Sequence, residues 1–164
     1  MIKFKFNLIF IFFIGVFIFS CAKQDTAQDV IFDFYNKYLS SSIRESEKKE
    51  IIKKYCTKNM LEVLDILYSF DEEEGLIVGI GYDPFVNAQE IPSIENLKIE
   101  KQNKTDYKIF LWGKNDRGVK LTLKEENNSW KIDSVYIDNF EQIRSGVNDY
   151  WTKKGKNNPK FFSN

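Results

Sequence analysis

Seventeen uncharged residues, Phe6 to Ala22, separate Lys5 from Lys23. The most apolar part runs from Leu8 to Phe19 and follows the basic pair Lys3 and Lys5. Seven of the fifteen Phe fall within the first nineteen residues. That length suits the h-region of a secretory signal better than a bilayer-spanning helix, which needs roughly 20 apolar residues. The stretch divides the chain, and the part that folds in water begins after it.

The stretch closes on Ile18-Phe19-Ser20-Cys21, which resembles the bacterial lipobox: an aliphatic residue at −3, a small residue at −1, then Cys. Phe19 departs from the small residue usual at −2. The resemblance implies that the Cys21 thiol takes a diacylglyceryl group through a thioether. Cleavage before Cys21 then frees an α-amine for acylation, and two chains suffice for stable anchoring. Ala22, where Asp is absent, implies outer-membrane sorting by likeness to Gram-negative lipoproteins, with the domain facing the periplasm. The alternatives are a Gram-positive surface lipoprotein and an uncleaved N-terminal membrane helix. Every one of them exports and tethers the rest of the chain.

Residues 1–20 therefore read as a signal peptide and 21–25 as a short lipidated linker. Residues 26–152 read as one α+β domain and 153–164 as a basic, flexible tail. Lys153, Lys154, Lys156 and Lys160 of that tail are placed to touch anionic headgroups. Without residues 1–20, 144 residues remain with a net charge of −2, enough for a single core.

Charge and composition exclude several functions. Lys+Arg and Asp+Glu number 24 each, so the basic footprint of a nucleic-acid binder is missing. The chain has no His, which removes His-based triads and two-His zinc sites. No metal or cofactor is expected. Only Cys56 remains as a thiol beside Cys21, and its apolar neighbours predict inert burial.

The spacing of apolar residues predicts helices over Ala27–Leu39, Glu45–Tyr55, Asn59–Ser69 and Phe140–Lys153. Thr26 is placed to cap the first, and Asn139 with Gln142 forms a capping-box pattern before the last. Alternation at Leu97–Ile99, Tyr107–Leu111, Val119–Leu123 and Trp130–Ile137 predicts strands. Asn115-Asp116-Arg117-Gly118 and Asn127-Asn128-Ser129 read as hairpin turns. Inward residues change parity between Ile132 and Val135, which predicts a bulge near Asp133–Ser134. The run Asp71-Glu72-Glu73-Glu74 opposes a helix C-terminus and reads as an exposed acidic turn, with a contact surface for a basic partner as the second reading. Gly79-Ile80-Gly81 lacks the rest of a dinucleotide signature.

Helices followed by an antiparallel meander give an α+β fold. Phe34-Tyr35 with Tyr38-Leu39, Tyr82-Asp83-Pro84-Phe85 with Gln89, and Trp130-Lys131-Ile132-Asp133-Ser134-Val135 together resemble the bacterial domain-of-unknown-function 3828 family. The likeness covers roughly residues 29–136. It implies an exported protein or lipoprotein with a nuclear-transport-factor-2-like or cystatin-like fold, N-terminal helices lying on a curved antiparallel sheet. The C-terminal helix lies outside it, and it implies no activity.

Two carboxylates are candidates for chemistry: Asp83 beside Tyr82, and Asp133. An unpaired carboxylate in an apolar cavity has a raised pKa and acts as a base. The competing reading makes Asp83 the cap of an Asp-Pro turn, with Phe85 plugging the core. Trp112, bordering a turn, is the aromatic expected to be exposed and a candidate hot spot. The candidate binding residues are thus Tyr82, Asp83, Phe85, Gln89 and Trp112. The reading is an anchored module that binds an envelope protein and is not an enzyme. Two alternatives stand. One is an immunity protein against a cell-wall-degrading toxin, using the acidic turn and the Asp83 loop. The other is a ligand-binding or isomerase-like enzyme built on a buried carboxylate.

Overall fold

Thr26 opens helix α1 (Ala27–Tyr38) with a reciprocal cap. Its hydroxyl accepts the Asp29 N–H at 3.2 Å, and the Asp29 carboxylate accepts the Thr26 N–H at 3.1 Å. The computed structural model describes residues 26–163 other than 41, 114 and 115. Cys21, the signal peptide and the linker lie outside the described residues, as does part of the Asn115–Gly118 turn.

Helices α2 (Glu45–Tyr55) and α3 (Lys58–Leu67) follow, the second capped by the Thr57 hydroxyl, which accepts the Met60 N–H at 3.2 Å. A two-residue ribbon of β1 (Phe70–Asp71) and β2 (Leu76–Ile77) comes next. The main sheet is an antiparallel meander of β3 (Lys98–Lys101), β4 (Asp106–Phe110), β5 (Val119–Glu126) and β6 (Ser129–Val135), in that spatial order. Helix α4 (Phe140–Lys153) closes the sequence of elements. The β5–β6 hairpin turns on Asn127 and Asn128, both with positive φ, which Asn tolerates better than other side chains.

The fold is α+β, with helices on one face of the four-stranded antiparallel sheet. Tyr107, Ile109, Val119, Leu121, Leu123 and Ile132 form the buried sheet face. Val30, Ile31, Phe34 and Tyr38 of α1 recur at helical spacing and bury one stripe in the same core. Helix α1 touches both β3 and β6 and so crosses the sheet, while α3 sits between β6 and α4.

The bulge falls where the parity change predicts it. Thr122 pairs with Ser134 and Leu123 with Ile132, so Asp133 is the extra residue on β6. Its carboxylate accepts a hydrogen bond from the Thr57 hydroxyl at 2.8 Å. That one hydroxyl caps α3 and ties it to the sheet, because a hydroxyl both donates and accepts.

Two expectations need correction. Asn139 does not cap α4 with its side chain; it adopts the left-handed conformation, with φ +59°, and its carbonyl accepts the Gln142 N–H at 3.0 Å. Asn allows both uses, and the chain reversal from β6 selects the second. The expected loose tail over 153–164 is, in its described residues 153–163, packed. Among the described residues, Phe162 is buried and the backbone of 161–163 is bound by Asp65. The packed unit therefore extends past 152 to Ser163.

Candidate functional site

Asp83 carries the geometry of the central loop. Its Oδ1 accepts the Phe85 N–H at 2.9 Å, a turn fixed by a side chain, and its backbone N–H donates to the Ala88 carbonyl at 2.9 Å. Pro84 keeps Asp83 out of the helical region. Phe85 is then driven fully into the core, 5.0 Å from the Phe34 ring and 5.3 Å from Tyr38. Tyr35, also fully buried, donates its hydroxyl to the Phe85 carbonyl at 2.8 Å. Gln89 is exposed and closes the loop by donating to the Gly81 carbonyl at 3.1 Å.

The second Asp83 oxygen is also engaged. Oδ2 accepts the Tyr38 hydroxyl at 2.6 Å and lies 3.1 Å from Lys48 Nζ, which stands 4.4 Å above the Tyr38 ring. Burial raises the Tyr38 phenol well above its ordinary range, with the neighbouring Tyr68 and Asp83 adding to the shift. Tyr38 therefore stays protonated and serves as a donor. The phenol that meets Asp83 is Tyr38 and not Tyr82. The Tyr82–Asp83 pair expected for acid–base work does not form, and Asp83 is the cap-and-plug residue of the competing reading. Asp133, the second candidate, is held by Thr57.

Trp112 is 43% exposed, as expected for the aromatic bordering the β4–β5 connection. Its position is fixed from two sides. The indole N–H donates to the Val86 carbonyl at 3.3 Å. The Asp116 carboxylate accepts the backbone N–H of Leu111 at 2.5 Å, Trp112 at 3.0 Å and Gly118 at 2.7 Å. Burial works against ionisation of Asp116, yet these backbone donors hold its carboxyl below the usual range. Trp112 thus leans on the Asp83 loop, and the structure brings Asp83, Phe85 and Trp112 into one assembly. Tyr82, half-buried, lies beside it at a cleft of about 420 Å³ that Pro84, Asn87 and Tyr136 also line.

The acidic run is a turn with Glu72, Glu73 and Glu74 exposed, as expected, and Asp71 is the exception. Asp71 is only 2% exposed and accepts the Tyr150 hydroxyl at 2.6 Å and the Lys154 ammonium. Glu74 meets Lys154 at 2.7 Å and Glu73 meets Lys156 at 2.5 Å. Glu72 is exposed and makes no such bond. Sequence pattern does not announce these partners because they lie about eighty residues away, in α4 and the segment after it. Lys154 above all, then Tyr150, hold the Asp71 carboxyl well below the usual range against burial.

Sequence reasoning missed a second polar group. Tyr55 of α2 donates its hydroxyl to Asp33 of α1, and Lys37 reaches both, at 2.7 Å from the Tyr55 hydroxyl and 2.5 Å from the carboxylate. The spacing of Asp33 and Lys37 at i,i+4 is the signal that was available. The group latches α1 to α2. Cys56 is buried as expected, and that burial raises its thiol far out of the reactive range.

Among the described residues no helix is long and apolar enough to cross a membrane. No protein-family model and no curated protein matches this chain. A solved structure of a protein of unknown function from Bacteroides thetaiotaomicron VPI-5482 is similar to it, with a TM-score of 0.54 over 68% of this chain and 88% of that one, at 21% identity. A likeness at that identity establishes the α+β fold alone.

Proposed function

We propose that this chain is a lipid-anchored bacterial envelope protein that binds another envelope protein through the surface around Trp112. The observation that carries the reading is the preorganised indole: exposed on one face, hydrogen-bonded to Val86 on the other, on a backbone pinned by Asp116. A rigid Trp loses little freedom on docking, which is why such residues dominate binding energy at interfaces. The lipobox-like Ile18-Phe19-Ser20-Cys21 and the resemblance to the exported domain-of-unknown-function 3828 family support export and outer-membrane anchoring. Both oxygens of Asp83 and at least one of Asp133 accept donors from the protein's own core, which argues against a free general base. An immunity role through the acidic turn loses support for the same reason, since three of its four acids are bound internally.

The anchoring half is tested by metabolic labelling with radioactive palmitate. The native chain should incorporate label and fractionate with outer membranes, and Cys21→Ser should do neither. Equal labelling of both chains would contradict it.

A further inference from the structure

Beyond the Trp112 surface, the cleft beside Tyr82 has a chemistry of its own. Lys108, Arg117 and Lys120 line it together with Tyr82 and Tyr136. Lys108 and Lys120 are direct cross-strand partners on β4 and β5, and like charges placed opposite each other destabilise a sheet. Among the described residues, none of the three cations forms an ion pair within 4 Å. The nearest acid in sequence, Asp116, accepts backbone N–H groups with both oxygens and feels the Lys108 charge at longer range, while the Lys108 ammonium stands 4.9 Å over the Phe110 ring. Asp138 is the single carboxylate in the lining.

The backbone favours this crowding. Gly118 has φ +70°, and a Cβ there would stand 2.8 Å from the Lys108 side chain and 3.1 Å from the Ile109 carbonyl. Glycine lets the Lys108 stem pass against the strand start. The Lys120 ammonium lies 4.9 Å over the Tyr136 ring, whose residue is 63% exposed. Three cations against the one lining carboxylate, Asp138, beside an exposed aromatic wall are arranged for an anion, since charged donors bind oxyanions with the strongest hydrogen bonds available.

We infer that this cleft binds a phosphate group, held by Arg117, Lys108 and Lys120, with Tyr82 and Tyr136 flanking whatever carries it. Asp138 faces the same space and suits a hydroxyl of the carrier. The phosphate belongs either to a soluble phosphorylated compound or to a lipid headgroup, and the chemistry at the cleft is shared. Trp112 does not line the cleft, and phosphate binding is read without the protein partner, so the inference is tested separately from partner binding.

Equilibrium dialysis of radiolabelled inorganic phosphate tests it, using the full chain purified from membranes in a neutral maltoside detergent at fixed ionic strength. The native chain should bind one phosphate saturably. Arg117→Gln/Lys120→Gln should bind at least about tenfold more weakly. Lys58→Gln/Lys153→Gln removes the same charge from exposed positions on α3 and α4 and should bind like the native chain. Arg117 and Lys120 are exposed, so the double variant should retain its native circular dichroism. If it does not, Arg117→Gln alone should still show a loss of about threefold. Displacement of the label by glycerophosphoglycerol, a phosphodiester headgroup fragment, assigns a lipid source. Displacement by glycerol 3-phosphate alone assigns a soluble phosphomonoester, and displacement by neither assigns free phosphate. Absence of saturable binding, or an equal loss in the two double variants, would overturn the inference.

Discussion

Asp65 on α3 accepts the backbone N–H of Phe162 at 2.8 Å, joining residues 97 positions apart. The same carboxylate accepts the N–H of Phe161 at 2.7 Å and of Ser163 at 3.3 Å. Asn158 continues the seam, donating to the Asp65 carbonyl at 3.0 Å and accepting the Ser69 hydroxyl at 2.8 Å. Ser69 in turn accepts the Trp151 indole N–H at 2.8 Å. The C-terminal segment is thus a structural strap across α3. Asp65→Ala leaves buried donors unpaired and should destabilise the chain by about 1–3 kcal/mol. Phe162→Ala should cost about 3 kcal/mol or more. Urea denaturation of both variants, read as a shift in midpoint, checks this.

Asp83 belongs to stability before it belongs to binding. Asp83→Ala removes the turn cap and leaves the Tyr38 hydroxyl and Lys48 without their acceptor. The expected loss is about 2 kcal/mol, tempered because the pair is not fully buried. Tyr38→Phe keeps the ring stacked on Phe34 and should cost only about 1 kcal/mol. Equal losses in thermal unfolding would contradict this assignment.

Acid stability should depend on Asp71. Its carboxyl is held well below the usual range, chiefly by Lys154. A group depressed in the folded state contributes stability above its unfolded pKa, near 4, and that stability drains away as pH falls towards the folded value. The unfolding free energy of the native chain should fall between about pH 5 and pH 2. Asp71→Asn should be less stable at neutral pH and show a shallower fall in that window. On the alkaline side Tyr150, pushed up to about 12 chiefly by its hydrogen bond to Asp71, contributes stability below its unfolded pKa. That contribution is lost as pH rises through about 12. Chemical denaturation across pH measures both limbs.

Gly79 marks a close approach between two backbones. A Cβ there would lie 2.2 Å from the Leu67 carbonyl oxygen, while Ile80 donates its N–H to that same oxygen at 2.8 Å. Gly79→Ala should therefore cost about 1–3 kcal/mol. Gly81→Ala meets nothing within 4 Å and should be nearly neutral in the same thermal melt.

Local pattern made much of this fold legible. The spacing of Ile51, Ile52 and Tyr55, and of Phe140, Ile143, Val147 and Trp151, places α2 and α4 over the residues observed. The parity change between Ile132 and Val135 marks the Asp133 bulge. The cap at Asp83 and the plug at Phe85 follow from the Asp-Pro-Phe order itself. What escaped was long-range. Phe161 and Phe162 sit among polar residues in sequence, and the distant Asp65, Tyr68 and Lys49 give them a place to pack. The partners of the acidic turn escaped for the same reason, because no local pattern announces that Tyr150 and Lys154 fold back onto Asp71.

The central claim is that Trp112 is the anchor of a protein interface. The direct measurement places a photoreactive benzoylphenylalanine at the exposed position 89, on the loop that Trp112 leans on, or at the exposed position 58 as control, in the full chain in intact cells with Trp112 kept. Irradiation should give one discrete heavier species from position 89 and none from position 58. That species should weaken in competition with native chain lacking the probe and persist against a Trp112→Ala competitor. Equal or diffuse crosslinking from both positions, or competition that ignores the Trp112→Ala change, would contradict the account.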